Sequence, residues 1–397
     1  MQTRFANVTQ RTTDWLSVNW RKAHRVVRNL RQRIFKATRN ADWSRVRNLQ
    51  RLLLKSYSNV LVAVRRVTQI NAGKRTPGID KLLVKTGPAK AILVDALKQW
   101  IPWRPLAARR VYIPKSNGKR RPLGIPSLID RCFQAMVKAA LEPCWEAQFE
   151  STSYGFRPGR SAHDAIARIY VTARAANHKK WVLDADIAGC FDTIDHKYLL
   201  SRVGNFPARE LIAQWLKAGY LEDGVFHPTA AGTPQGGIIS PLLANIALHG
   251  MEAALGVSRY PQGYVKKGVR KLIVRYADDF VVFCDSKAEA EQAQADLQRF
   301  LCVRGLQLSE EKTRIVHLSE GFDFLGFNVR HYHSRTTRTG WKLLIKPAKK
   351  NVSTFRKKLR QTFKRLHGSN ARCLIKVLNP IIRGWANYYR EIGRAHV

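Results

Sequence analysis

Acidic residues are scarce in this chain: 28 Asp+Glu stand against 70 Lys+Arg in 397 residues, a formal charge of +42. Such an excess repels itself unless a polyanion neutralises it, and nucleic acid is the usual partner. A ribosome-binding or membrane-surface protein shows the same balance, so charge defines a class of partner and no activity. Cysteine is also sparse. Cys132, Cys144, Cys190, Cys284, Cys302 and Cys373 form no CxxC and no Cys/His cluster, which argues against a structural zinc site or a disulfide framework and for a reducing compartment. No apolar run reaches the roughly 18–20 residues of a membrane span, and the first residues lack a signal-peptide apolar core. Internal repeats and low-complexity tracts are missing too.

What is present is an ordinary globular composition, 45% apolar, in a chain long enough for two or three domains. The few acids are concentrated. Residues 1–75 carry 18 Lys+Arg against Asp14 and Asp42, and from His331 onward 17 Lys+Arg face Glu391 alone. Acidic chemistry therefore sits in the middle, between two flanks suited to phosphate.

Trp20 to Ile70 reads as two helices. Ala23, Val27, Leu30, Ile34 and Ala37 mark one apolar stripe; Asp42 is placed to cap the second helix, whose stripe continues through Trp43, Val46, Leu49 and Leu53. Gly73 to Gly78 is turn-rich. Val111-Tyr112-Ile113 then opens a hairpin whose Asn117-Gly118 turn tolerates two positive φ angles. Helices are expected near Arg131–Glu146 and His163–Ala175, and strands at Trp181–Ile187 and Leu272–Cys284. Two further helices close the chain, the first striped by Val352, Phe355, Leu359 and Phe363, the second running from about Cys373 to Tyr389.

The chemistry gathers in the acidic middle. An apolar strand delivers Asp184 and Asp186, and some 90 residues later Leu272–Phe283 reads as a hairpin with Asp278 and Asp279 at its bend. Adjacent carboxylates repel, and a divalent cation relieves the repulsion; Mg²⁺ prefers such hard oxygens. With Asp186 as a third donor, the set suits two ions about 3.5–4 Å apart, one activating an attacking oxygen and one neutralising a leaving phosphate. A bare Asp-Asp pair is as readily an exposed strand end, so the surrounding motifs decide.

Tyr276-Ala277-Asp278-Asp279 resembles the metal signature of reverse transcriptases. Tyr154-Gly155-Phe156-Arg157-Pro158-Gly159-Arg160-Ser161 and Gly232-Thr233-Pro234-Gln235-Gly236-Gly237, in this order, resemble the group II intron-encoded reverse transcriptase/maturase family, and the likeness runs up to Arg390. It implies an α+β right-hand polymerase: a basic helical RNA-binding extension over 1–78, fingers and palm with an antiparallel palm sheet over 79–330, and a partial thumb or maturase domain over 331–390. It implies an RNA-directed DNA polymerase that adds dNTPs to a DNA primer on an RNA template, uses two Mg²⁺ (or Mn²⁺), and binds intron RNA in splicing and retrohoming. The setting would be the bacterial cytoplasm, in a nucleoid-associated ribonucleoprotein, with a homodimer left open.

The resemblance also assigns residues. Asp186, Asp278 and Asp279 match the metal-binding catalytic carboxylates, and Lys312 a lysine that protonates pyrophosphate. Phe191 matches the position that excludes a 2′-hydroxyl, although a core phenylalanine reads equally well. Lys115 and Arg121 match fingers residues that grip the triphosphate, with a plain basic hairpin as the rival. Gln235 matches a residue lining the nucleotide, and Gly236-Gly237 would let the backbone approach a base pair closely. Arg157 and Arg160 are expected on template phosphate, His163 at a helix start, and Arg383 and Trp385 on RNA, with interhelical packing the alternative for Trp385. Residues 391–397 read as a non-native tail, because codons that can encode them resemble a sequencing-library adapter. An RNA-binding splicing cofactor without polymerase activity and a domesticated or diversity-generating reverse transcriptase are the competing readings.

Overall fold

The computed structural model describes residues 13–98, 103–114, 118, 120–260 and 264–390. The expectations for Lys115, Asn117 and residues 391–397 lie outside the described residues. In chain order the helices are α1 (Trp20–Arg39), α2 (Trp43–Leu54), α3 (Tyr57–Arg65), α4 (Gly87–Lys98), α5 (Leu128–Glu146), α6 (Ala162–Thr172) and α7 (Cys190–Thr193). They continue as α8 (His196–Val203), α9 (Arg209–Lys217), α10 (Ser240–Leu248), α11 (Met251–Ala254), α12 (Lys287–Cys302), α13 (Lys349–Arg365) and α14 (Ala371–Tyr389). The strands are β1 (Ala108–Pro114), β2 (Arg120–Ile125), β3 (Trp181–Ala185), β4 (Tyr220–Glu222), β5 (Val225–His227) and β6 (Leu272–Tyr276). After them come β7 (Asp279–Cys284), β8 (Arg314–His317), β9 (Phe322–Phe324), β10 (Phe327–His333) and β11 (Trp341–Pro347). The class is α+β, and the chain divides into two compact units.

The first unit combines Met1–Glu150, Ala188–His249 and Leu301–Gln307. Its amino-terminal helices form for the reasons their sequence suggests. Ala23, Val27, Leu30, Ile34 and Ala37 are all buried, and Asn19 and Asp42 cap α1 and α2 by accepting from Lys22 N and Arg45 N. Three helices replace the two expected. The chain leaves helical geometry at Ser56, whose extended backbone separates α2 from α3, and a π-turn at Arg66–Ile70 ends the run. α5 is buried along most of its length around Asp130. That carboxylate accepts from Ser127 Oγ (2.6 Å), Trp103 Nε1 (2.7 Å), Trp215 Nε1 (3.0 Å) and Leu106 N (3.2 Å). Burial pushes its pKa up, against the pull of these four donors. The unit's sheet runs β2-β1-β4-β5, with β1 antiparallel to β2 and parallel to β4.

The second unit holds Ser151–Ile187, Gly250–Phe300 and Leu308–Val397. An antiparallel sheet of order β6-β7-β3-β8 lies at its centre. Phe280, Val281, Val282 and Phe283 of β7 are all buried, as expected of an inner strand covered on both faces. A second sheet of order β11-β10-β9 contributes Phe322, Phe324, Phe327 and Val329 to the same core cluster. α13 and α14 bury little along their length, and α14 is anchored at its end. Tyr388 Oη donates to Leu325 O (2.8 Å), Tyr389 Oη donates to Gly326 O (3.2 Å), and both rings pack on Phe327.

Candidate active site

The β6–β7 hairpin closes through a two-residue turn, Ala277-Asp278, with Tyr276 paired to Asp279. Ala277 takes φ +60°, a left-handed conformation that alanine rarely adopts. Its surroundings impose it. The guanidinium of Arg275, 2% exposed, donates to Ala277 O at 3.0 Å. Arg275 is held through its backbone, its N donating to Thr152 O and its O accepting from Tyr154 N, both at 2.9 Å. Gly155 lies flat against the turn: a Cβ there would stand 2.9 Å from Tyr276 C and closer still to Ala277 N. The Tyr154-Gly155-Phe156 motif is thus the floor under the two aspartates.

Asp186 reaches the same place from β3. Ala185 pairs with Phe280, so the next residues outward, Asp186 and Asp279, lie on adjoining strand ends. The strand stops at Ala185, short of the expected Ile187, because the chain turns aside there. Ile187 N donates to Asp186 Oδ1 (3.0 Å), and Ile187 bridges to Leu308. Ser309 N donates to Asp186 O (2.8 Å), and this loop carries Lys312, whose ammonium bonds Asp186 Oδ2.

The electrostatics follow from this crowding. Asp279 is exposed as a residue, yet crowding of its carboxyl by protein atoms, followed by the charges of Asp278 and Asp186, pushes its pKa up to about 7. The bond to Asp186 raises the Lys312 ammonium above its ordinary value. Behind them Asp184 pairs with Arg314 at 3.0 Å, and burial raises its carboxyl. Among the described residues, no three His, Cys, Asp or Glu side chains are drawn together closely enough to form a ready-made metal cage.

The first unit contains the other expected nucleotide residues. Arg121 Nε donates to Gln235 Oε1 and Gln235 Nε2 donates to Asp192 Oδ2, both at 3.0 Å. Thr233 N donates to Phe191 O and Gly232 N to Ile194 O, which lays the 232–235 segment along the segment carrying Phe191. Phe191 is buried, and with Asp192, Gln235 and Tyr112 it lines a cavity of about 450 Å³. The closest neighbour of Gly236 is β2: at φ +121°, a Cβ would lie 2.7 Å from Gly124 O. Close packing against a strand accounts for this glycine without a base pair.

The expected RNA-contact residues diverge. Arg383 is exposed and Arg160 partly so, its guanidinium donating to Ser151 O at 2.9 Å. Arg157 is buried and donates to Ser153 O at 2.7 Å, within the segment that supports the Ala277-Asp278 turn. Trp385 stacks on Phe355 with ring centroids 4.7 Å apart. His163 Nε2 bonds Tyr388 O at 2.7 Å. Sequence reasoning gave no role to Arg275 or Asp192. A buried arginine just before an Asp-Asp bend was the available signal for the first; nothing in the sequence pointed to the second.

Family comparisons extend these observations. A model for reverse transcriptase (RNA-dependent DNA polymerase) matches residues 113–329, more than half the chain. Models for the N-terminal domain of reverse transcriptase and the group II intron maturase-specific domain match residues 15–97 and 352–397. The chain belongs to the group II intron-encoded reverse transcriptase/maturase family. It is 36% identical to Protein YkfC of Escherichia coli over 325 residues, covering 72% of this chain and 84% of that protein. Group II intron-encoded protein LtrA of Lactococcus lactis is 32% identical over 378 residues, 75% of this reverse transcriptase chain, which spans 62% of LtrA's length. Maturase-like protein 1 of Euglena gracilis is 25% identical, with 94% of this chain and 76% of that protein covered.

Proposed function

We propose that the chain is an RNA-directed DNA polymerase that extends a primer with dNTPs on an RNA template by two-metal chemistry. We also infer that it binds group II intron RNA in splicing and retrohoming. One observation supports the polymerase reading: Asp186 follows the end of β3, Asp279 begins the adjoining β7, and Asp278 stands beside Asp279 in the β6–β7 turn. These carboxylates are hard donors that suit Mg²⁺, with Mn²⁺ as a substitute. Asp186, Asp278 and Asp279 would hold the ions once Asp186 exchanges its bond to Lys312, the one cationic group bonded to it among the described residues, for a metal. When bound, such ions supply activation of the primer 3′-oxygen and charge neutralisation of pyrophosphate. Lys312, released, is then available to protonate the pyrophosphate.

Residues 79–330 would serve as fingers and palm, with Lys115 and Arg121 on the triphosphate, Gln235 beside the nucleotide and Phe191 excluding a 2′-hydroxyl. Residues 1–78 and 331–390 would form the basic extension and a partial thumb. Arg160 and Arg383 are proposed for RNA phosphate, whereas Arg157 and Trp385 act as braces. No helix among the described residues is long and apolar enough to cross a membrane. A bacterial ribonucleoprotein setting accords with the family.

Primer extension on poly(rA)/oligo(dT) with Mg²⁺ tests the reading. Wild-type protein should incorporate dTTP, and Asp278→Ala should lose roughly 10²–10³-fold or more, the scale of removing one electrostatic stabiliser. Equal incorporation by both would refute the assigned site. An inactive wild type that still binds intron RNA would indicate a splicing cofactor without polymerase function.

A further inference from the structure

Trp43 belongs by spacing to the apolar stripe of α2, yet its fate differs from that of its companions. Val46, Leu49 and Leu53 are buried, and Trp43 is 46% exposed. It stands at the rim of a cavity of about 330 Å³ between α2, α5 and the end of α8, wholly within the first unit. That volume is at the lower end of the range for small-ligand sites, enough for one base with its sugar. Trp145 is buried in the wall, with the Arg202 guanidinium 5.8 Å from its ring centroid. Arg47 and Arg202 line the opening, and neither pairs with a carboxylate among the described residues. Gln50, only 3% exposed, also lines the cavity. An amide in a cavity wall can offer both a donor and an acceptor to whatever enters.

An exposed indole, an amide in the cavity wall, and two guanidiniums without a carboxylate partner among the described residues together match the parts of one nucleotide: ring face, base edge and phosphate. We propose that this cavity binds a single unpaired nucleotide of bound RNA, its base stacked on Trp43 and hydrogen-bonded by Gln50, its phosphates against Arg47 and Arg202. The site rests on the RNA-binding reading above and adds a sequence-tolerant reader of unpaired bases to it. A fully paired helix cannot enter, because its bases are already stacked and their edges occupied.

The test compares full-length wild-type protein with Trp43→Ala and Gln50→Leu, using a single-stranded oligouridylate RNA and a blunt, fully paired RNA duplex in equilibrium binding. Trp43→Ala should weaken the single strand roughly tenfold, the size of one lost stacking contact, and leave duplex affinity unchanged. Trp43→Phe should restore most of the loss. With 4-thiouridine in the single strand, photo-adducts should map to the peptides containing Trp43 or Arg202. Equal effects on both RNAs, or adducts confined to other segments, would overturn the site. Primer extension at saturating template–primer separates this from the polymerase reading: Trp43→Ala should keep wild-type activity, and only failure of the wild type itself would count against that reading.

Discussion

Gly155 offers the most direct test of how the Ala277-Asp278 turn is held. A Cβ at this position would stand 2.9 Å from Tyr276 C and nearer to Ala277 N. Carbon contacts relax to about 3.5–4.0 Å, so Gly155→Ala must separate the two backbones by about 0.6 Å at the first atom and about 1 Å at the second. Both neighbours are main chain, which no side-chain rotation can clear. The turn on the other side of this contact carries Asp278. A displacement of about 1 Å in a reacting group costs on the order of 10²-fold in rate. Steady-state primer extension should therefore show kcat falling about 100-fold with a much smaller change in KM for dTTP, since the nucleotide contacts proposed for Arg121 and Gln235 are untouched. Thermal melting should show a loss of about 1–3 kcal/mol, the usual cost of overpacking. Gly384→Ala is the control, because a methyl there meets nothing within 4 Å. A Gly155→Ala enzyme with wild-type kcat, or one whose kcat falls no more than that of the control, would refute the claim that this motif sets the position of the turn.

Two further substitutions probe the first unit. Phe191→Val should raise ribonucleotide incorporation relative to dNTP by about an order of magnitude, the discrimination a few atoms of pocket volume provide; unchanged sugar selection, measured by competing rUTP against dTTP, would move the gate to another residue. Asp130→Asn should destabilise the protein by about 1–3 kcal/mol, because one amide oxygen replaces two acceptors facing four donors. The pH dependence has a definite sign. Burial raises the folded pKa of Asp130, so its favourable share is complete below the ordinary aspartate value of about 3.9 and declines as pH rises toward the folded value. The wild-type advantage over Asp130→Asn in urea melts should accordingly shrink across that acid window and then level off; an advantage that grows would contradict the assignment.

The legible parts of this molecule were those written in local periodicity or in contiguous motifs. The stripe of α1, the Asp42 cap and the Leu272–Cys284 hairpin all form as their residues indicate. The break at Ser56 was not legible, since Tyr57, Val60, Leu61 and Val64 continue the helical spacing and only the backbone at one residue changes. Strands β8 to β11 escaped notice for another reason. Their burial alternates, but β8 pairs with β3, remote in sequence, and β9 has only three residues, too few to show a period; β10 and β11 are successive antiparallel neighbours whose spacing did carry a signal. Arg157 illustrates the same limit within a motif. Its place beside Pro158 and Gly159 suggests a surface loop, yet the structure buries it on Ser153 O.

The site itself shows why the motifs occur together. Asp278 and Asp279 are adjacent in sequence, but nothing in that adjacency fixes where their carboxylates go. Their placement depends on Arg275 holding Ala277 O, on Gly155 allowing the floor to touch the turn, and on β3 delivering Asp186 to the adjoining strand end. Lys312 depends in turn on the Ser309–Asp186 backbone bond. Three of these four supports come from chain segments far from the Asp-Asp pair in sequence. An exposed pair of acids on an ordinary hairpin would need none of them: it could repel its neighbour into water. Here the repulsion is confined by a glycine contact, a buried guanidinium and a strand pairing, and the Asp279 carboxyl answers it with a pKa pushed up to about 7 while Lys312 pairs with Asp186.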